Sequence, residues 1–173
     1  PLLKEGAEFI YFSYGSCDKI VKKVTLSGND LIIGNSADPA NMHKRVLKNI
    51  LPKDLSLLIH CPLSYSGSLK YRQEIAITGK LVFKDKFKPY LNLLNTDDYY
   101  SRVLSKCAYG ILWHHRSQAW GNIMQLLSQG SKIFMNPKSN LYNYLAGCGF
   151  VIYPVKARLK SSDFLPLPTN LKK

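Results

Sequence analysis

Three short stretches of this chain combine glycine, hydroxyl, amide and cationic residues in a way suited to holding a phosphorylated ligand. The first is Gly34-Asn35-Ser36. Where a strand passes into a helix, such a turn offers free backbone amides and the positive end of a helix dipole to an anion. Gly34 lets the backbone approach closely, and Asn35 and Ser36 add side-chain donors. His43, one turn into the helix that follows, falls off its apolar stripe and so faces solvent or ligand. The second stretch is Cys61-Pro62-Leu63-Ser64-Tyr65-Ser66-Gly67, with Tyr71 on the next helix; tyrosines there can stack on a base or hydrogen-bond a sugar hydroxyl. The third, His114-His115-Arg116-Ser117-Gln118-Ala119-Trp120-Gly121-Asn122, is the most polar-dense strand end in the chain. Arg116 suits a diphosphate, and the amides of Gly121 and Asn122, near a helix start, suit a phosphate or ribose oxygen. Taken singly, each stretch is also ordinary turn, surface or packing chemistry.

Other chemistries find less support. Adjacent His114 and His115 would point to opposite faces of a strand, and no carboxylate or thiol lies at ligand spacing, so no metal site is expected. The chain has no Gly-x-Ser-x-Gly elbow, P-loop lysine or Gly-x-Gly-x-x-Gly fingerprint, so neither covalent catalysis nor a resident cofactor is expected.

For the three stretches to meet, each must lie at the carboxyl end of a strand in one sheet. Apolar β-type runs do alternate with helix-period segments, which predicts an α/β domain: a Rossmann-like parallel sheet flanked by helices. Strands are expected over 8–14, 30–33, 55–60, 109–113, 132–135 and 150–153, with a strand, a basic loop and another strand over 80–94. Asp38-Pro39 should open a helix, a carboxylate cap followed by proline at the first helical position. Met42, Val46, Leu47 and Ile50 would share its apolar face. Further helices are expected over 68–78, from Asp97-Asp98 through Cys107, over 119–129 closed by Gly130, and over 140–146.

With 173 residues, 46% of them apolar, the chain can bury one ordinary core. Its formal charge of +13 reports attraction to something anionic: nucleic acid, anionic lipid or phosphorylated substrate. Residues 61–173 carry sixteen basic and five acidic side chains, against eight and six before them. Six basic residues between Lys70 and Lys88 meet only Glu74 and Asp85, a solvated face or a phosphate or membrane-surface patch. The four cysteines, Cys17, Cys61, Cys107 and Cys148, are widely spaced and read as reduced thiols. No apolar run approaches the roughly 20 residues of a membrane span.

In order and spacing, the three stretches resemble the Fuc4NAc (4-acetamido-4,6-dideoxygalactose) transferases of enterobacterial common antigen synthesis, glycosyltransferase family fifty-six. The matching segments are Ile33-Gly34-Asn35-Ser36-x-Asp38-x-x-Asn41-x-His43, then Cys61-Pro62-Leu63-Ser64-Tyr65 with Tyr71, then Arg116, Gln118, Ala119, Gly121 and Asn122. The resemblance spans about 31–155. Met42 stands where a second asparagine is expected, Ser117 replaces a glutamine, and the glycine after Tyr65 comes one place late. The family implies transfer of Fuc4NAc from a dTDP-sugar donor to an undecaprenyl-diphosphate-linked saccharide, at the inner face of the bacterial inner membrane. It implies a GT-B protein of about twice this length. Residues 1–29 would then be a lead-in from an N-terminal acceptor domain, 30–155 the donor-binding domain and 156–173 a C-terminal tail. Donor contacts would come from Gly34, Asn35, Ser36, Asn41, Ser64, Tyr65, Tyr71, Arg116, Gln118, Gly121 and Asn122. His43 is the candidate general base within this chain. Every reactant is anionic, which accounts for the charge without nucleic acid. The residues alone would also fit a basic α/β module that binds nucleic acid without catalysis, or a silent sugar-nucleotide sensor.

Overall fold

The structure, a computed structural model, describes residues 25–155 and 157–165. The strand expected over 8–14 and Cys17 lie outside them. Six parallel strands form one sheet: β1 (Asp30–Ile33), β2 (Ile59–Pro62), β3 (Phe87–Tyr90), β4 (Cys107–Leu112), β5 (Lys132–Met135) and β6 (Tyr153–Pro154). Their spatial order is β3-β2-β1-β4-β5-β6, with helices on both faces, so the expected Rossmann-like α/β architecture is present. Leu31, Ile32 and Ile33 of β1 are fully buried, as a central strand covered on both sides requires. Pro89 and Pro154, which cannot donate to a ladder, lie on the two edge strands.

Two apolar clusters line the two faces. Leu31, Ile33, Ile59, Tyr109 and Ile111 pack with α1 (43–50) and α2 (Leu69–Phe83). Ile32 and Leu112 pack with α3 (96–106), α4 (Trp120–Ser128) and α5 (Asn140–Gly147). The alternation of Leu31, Ile32 and Ile33 between the clusters is the period-two pleat at work.

Several boundaries differ from expectation. Asp38 caps with its carboxylate, accepting from the Ala40 amide, and Pro39 follows, but they open only a 3₁₀ turn over Pro39–Asn41. Met42 then adopts a left-handed conformation, φ 54°, and α1 starts afresh at His43, widening to a π-type turn over Val46–Ile50. Strand β2 lies later than 55–60, because Cys61 and Pro62 pair with Pro89 and Tyr90 and so belong to the sheet. The 80–83 segment continues α2: Ile75, Gly79 and Phe83 recur along one buried face, so helical period outweighs the β-type run Leu81-Val82-Phe83. Cys107 opens β4 and does not close the preceding helix. The last strand is Tyr153–Pro154 alone.

Residues 157–165, expected to lack regular structure, return across the sheet. Leu159 donates its amide to the Ile50 carbonyl at 2.9 Å, and Lys132 Nζ donates to the Asp163 carbonyl at 2.7 Å. Phe164 is 6% exposed, with its ring 5.4 Å from those of Tyr109 and Phe134, and its carbonyl accepts from the Tyr109 hydroxyl. The short 3₁₀ turn Ser161–Phe164 thus closes the first cluster. Phe164→Ala should lower the unfolding free energy by about 3 kcal/mol, measured by urea titration, because it opens a cavity against two aromatic rings. A change below about 0.5 kcal/mol, the size of a surface substitution, would mean that the segment is not docked.

Candidate functional site

In this strand order the chain leaves β1 toward β2 and later returns to place β4 on the opposite side of β1. The helices that follow β1 and β4 pack on opposite faces of the sheet, and the strand ends between them are where open α/β sheets usually place a ligand crevice. The Gly34 amide donates to the Ile111 carbonyl at 3.0 Å and ties the two strand ends together. Gly34 has φ +64°, and a β-carbon there would meet His43 Nε2 at 2.6 Å and Asn41 Cγ at 3.1 Å. Glycine is thus demanded by both the conformation and the close approach of two side chains.

A polar network spans the crevice floor. Asn41, 1% exposed, donates through Nδ2 to the Ser36 carbonyl at 3.0 Å and the Asp38 carbonyl at 3.3 Å, while its Oδ1 accepts from Gln118 Nε2 at 3.1 Å. Gln118 Oε1 accepts in turn from Arg116 Nε at 3.0 Å. Arg116 Nη2 pairs with Asp38 Oδ2, whose other oxygen caps the Pro39 turn. Residues after β1 and β4 are thus joined by two routes, and Arg116 keeps 66% of its side chain exposed.

His43, expected from its place off the apolar stripe to face solvent or ligand, is instead buried against this floor, because the break at Met42 restarts the helix there and turns its side chain toward Gly34 and Tyr71. Its Nδ1 lies 3.1 Å from the Tyr71 hydroxyl in a hydrogen bond, while its Nε2 faces Gly34 and has no partner among the described residues. Burial lowers its pKa from 6.5 to about 4, against the opposing pull of the Asp38 charge, so the ring is neutral near pH 7. Burial also raises the Tyr71 hydroxyl to about 12. His114, fully buried, donates from Nδ1 to the Arg116 carbonyl at 2.8 Å and holds the β4 loop; burial lowers its pKa as well. His115 points elsewhere, to Asn136. Among the described residues no group of three or more His, Cys, Asp or Glu is placed to hold a metal.

Beside the floor lies a cleft of about 250 Å³, within which Asn35, Ser64, Tyr65 and Asn122 come together. Asn35 Nδ2 donates to the Tyr65 hydroxyl at 3.1 Å, and Asn122 Nδ2 donates to the Tyr99 hydroxyl at 2.7 Å. Gly121 stands under Tyr100, whose hydroxyl would lie 2.9 Å from a β-carbon at that position. The turn carrying Ser64 and Tyr65 is pinned by Arg72, which donates to the carbonyls of Ser64 and Ser66. Tyr71 lies outside this cleft, as do Gly34, Ser36, Asn41 and Gln118, which build the floor. Sequence reasoning missed Tyr90, Tyr99 and Tyr100 on its walls, and the pairing of Asp38 with Arg116. The adjacent tyrosines just after the Asp97-Asp98 helix start were the available signal for that wall.

Comparison with known families decides the class. The family described as 4-alpha-L-fucosyltransferase glycosyl transferase group 56 matches residues 7–147, most of the chain. The chain belongs to this family. It is a glycosyltransferase. The same comparison finds no match among curated proteins and none among solved structures.

The buried neutral imidazole of the group 56 domain has a consequence for stability. Because the folded pKa of His43 lies below its unfolded value, the unfolded chain takes up the proton first as pH falls. Stability should therefore decline below about pH 6.5, and the His43 contribution to that loss should approach about 3 kcal/mol near pH 4. In urea titrations between about pH 7 and about pH 4, His43→Gln should flatten this slope, leaving the same-signed contribution of His114. Equal slopes in the two proteins would mean that His43 titrates freely in the fold.

Proposed function

We propose that this chain is the donor-binding domain of a GT-B glycosyltransferase that moves Fuc4NAc from a dTDP-sugar to an undecaprenyl-diphosphate-linked saccharide. The observation that carries the reading is Arg116, held by Gln118 and Asp38 over the Gly34 turn yet still largely exposed. A diphosphate arriving there competes with Asp38 for the guanidinium, and the two strand-end loops supply further donors. In this reading the departing nucleotide diphosphate is stabilised by Arg116 and by loop amides near Gly34 and Gly121, set before reaction begins. Tyr65, Tyr90, Tyr99 and Tyr100 wall the adjacent cleft, where a thymine can stack and Asn35, Ser64 and Asn122 can meet sugar or ribose hydroxyls.

His43 enters this reading as a positioning residue. At 1% exposure it supports the Gly34 turn, and the acceptor's hydroxyl proton passes to a base outside this domain. A lipid-linked acceptor also implies contact with an anionic membrane surface. Among the described residues no helix is long and apolar enough to cross a membrane. Leu69, Ile77 and Leu81 are nevertheless exposed on α2, interleaved with exposed Lys70, Lys80 and Lys84, a pattern that supports peripheral contact at the inner face of a bacterial inner membrane.

Calorimetry with dTDP, UDP and ADP at moderate salt tests the donor assignment. The expected result is preferential dTDP binding, weakened about tenfold or more in Arg116→Ala, the loss of one charge-assisted diphosphate contact. No nucleotide binding, with RNA binding that falls steeply as salt rises, would overturn the reading in favour of a nucleic-acid module.

A further inference from the structure

A second cleft, of about 640 Å³, shares no lining residue with the tyrosine-walled one. It lies beside α1, where Met42, Ile50, Tyr71 and Trp113 pack with the first apolar cluster, whereas Tyr99 and Tyr100 of the donor cleft pack with the second. Four cations line it: Lys44, Arg45 and Lys48 from α1, and Arg158 from the returning segment. No carboxylate is among its lining residues. Lys44 is engaged by Glu74 at 2.5 Å, and the Arg45 guanidinium lies over the Trp113 ring, 5.1 Å from its centroid. Lys48 and Arg158 have no acidic partner among the described residues. The arrangement is built into the fold, because the bond from the Leu159 amide to the Ile50 carbonyl fixes Arg158 beside the end of α1.

Arg45, Lys48 and Arg158, gathered on one cavity without a carboxylate partner among the described residues, repel one another, and an anion placed among them removes that repulsion. Arg45 and Arg158 offer planar, multidentate donors to phosphate oxygens, and Lys48 offers a mobile point charge. Trp113, Met42 and Ile50 give the same cavity apolar wall for whatever carries the phosphate. We propose that this cleft binds a second phosphorylated group, a phosphate or diphosphate ester distinct from the donor nucleotide. The proposal stands on these cations and does not depend on the donor assignment.

Inorganic pyrophosphate is the probe, titrated calorimetrically into the 173-residue chain with and without saturating dTDP. Binding should persist in the presence of dTDP and weaken about tenfold or more in Lys48→Gln/Arg158→Gln, while dTDP affinity is unchanged. Near-UV circular dichroism checks that the double variant keeps its fold; if it does not, Arg158→Gln alone, at an exposed position, carries the same expectation in smaller degree. Unchanged pyrophosphate affinity in the variant overturns the proposal. So does one-for-one displacement of pyrophosphate by dTDP in the parent chain, which would put the anion in the donor crevice. Should dTDP fail to bind at all, the donor assignment falls, and the nucleotide-free titration still decides this one. Sedimentation with phosphatidylcholine vesicles, with and without phosphatidylglycerol, separates two sources of the phosphate. Loss of both pyrophosphate and anionic-vesicle binding in the variant assigns the cleft to a lipid headgroup; loss of pyrophosphate alone assigns it to a diphosphate presented away from the bilayer.

Discussion

The buried carboxamide of Asn41 is the interaction on which the crevice depends. A carboxamide with almost no exposure must find partners inside the protein or forfeit much of its solvation energy. It finds them on both sides of the β1/β4 junction: the Ser36 and Asp38 carbonyls on one, the Gln118 amide on the other. This demand fixes how far apart the two loops stand. Arg116 is held above the floor by Gln118 and Asp38, and Gly34 must be glycine because Asn41 and His43 crowd the space a side chain would occupy.

The left-handed Met42 changes the source of positive potential at this site. A continuous helix starting at Pro39 would aim several aligned peptide dipoles at the Gly34 turn. The break leaves one 3₁₀ turn there and starts the longer helix at His43, whose Nδ1 is engaged by Tyr71 and whose ring packs against Gly34. Positive potential at this turn therefore comes mainly from the Arg116 side chain and loop amides.

Much of this was readable from residue order. Strands β1 and β5 begin and end where their apolar runs do, and α5 starts at the serine cap that precedes its apolar period. The three polar stretches meet at one end of one sheet, as alternating strands and helices in an α/β chain require. What escaped depends on contacts distant in sequence. Nothing local in Leu81-Val82-Phe83 favours helix over strand; burial of Phe83 along the Ile75 and Gly79 face decides it. Asp38 carries the mark of a cap, and only the return of β4 beside β1 brings Arg116 to its second oxygen. Tyr90 lines the cleft because β3 ends beside it; its hydroxyl is bonded to His60 Nδ1 at 2.7 Å, and His60 Nε2 is held in turn by Asp30 at 2.9 Å, a relay that no spacing rule foretells.

The family match ends at residue 147, but the sheet and its cover do not. Strand β6, Ile152, Val155, Leu159 and Phe164 all follow that point and are built into the two cores. A fragment cut at the family limit would leave β5 as a bare outer strand, with Phe134 and Tyr109 uncovered beside it. An apolar strand with unpaired backbone groups is a template for other chains. Self-association, more than lost catalysis, would be the first symptom of cutting the domain where sequence similarity fades.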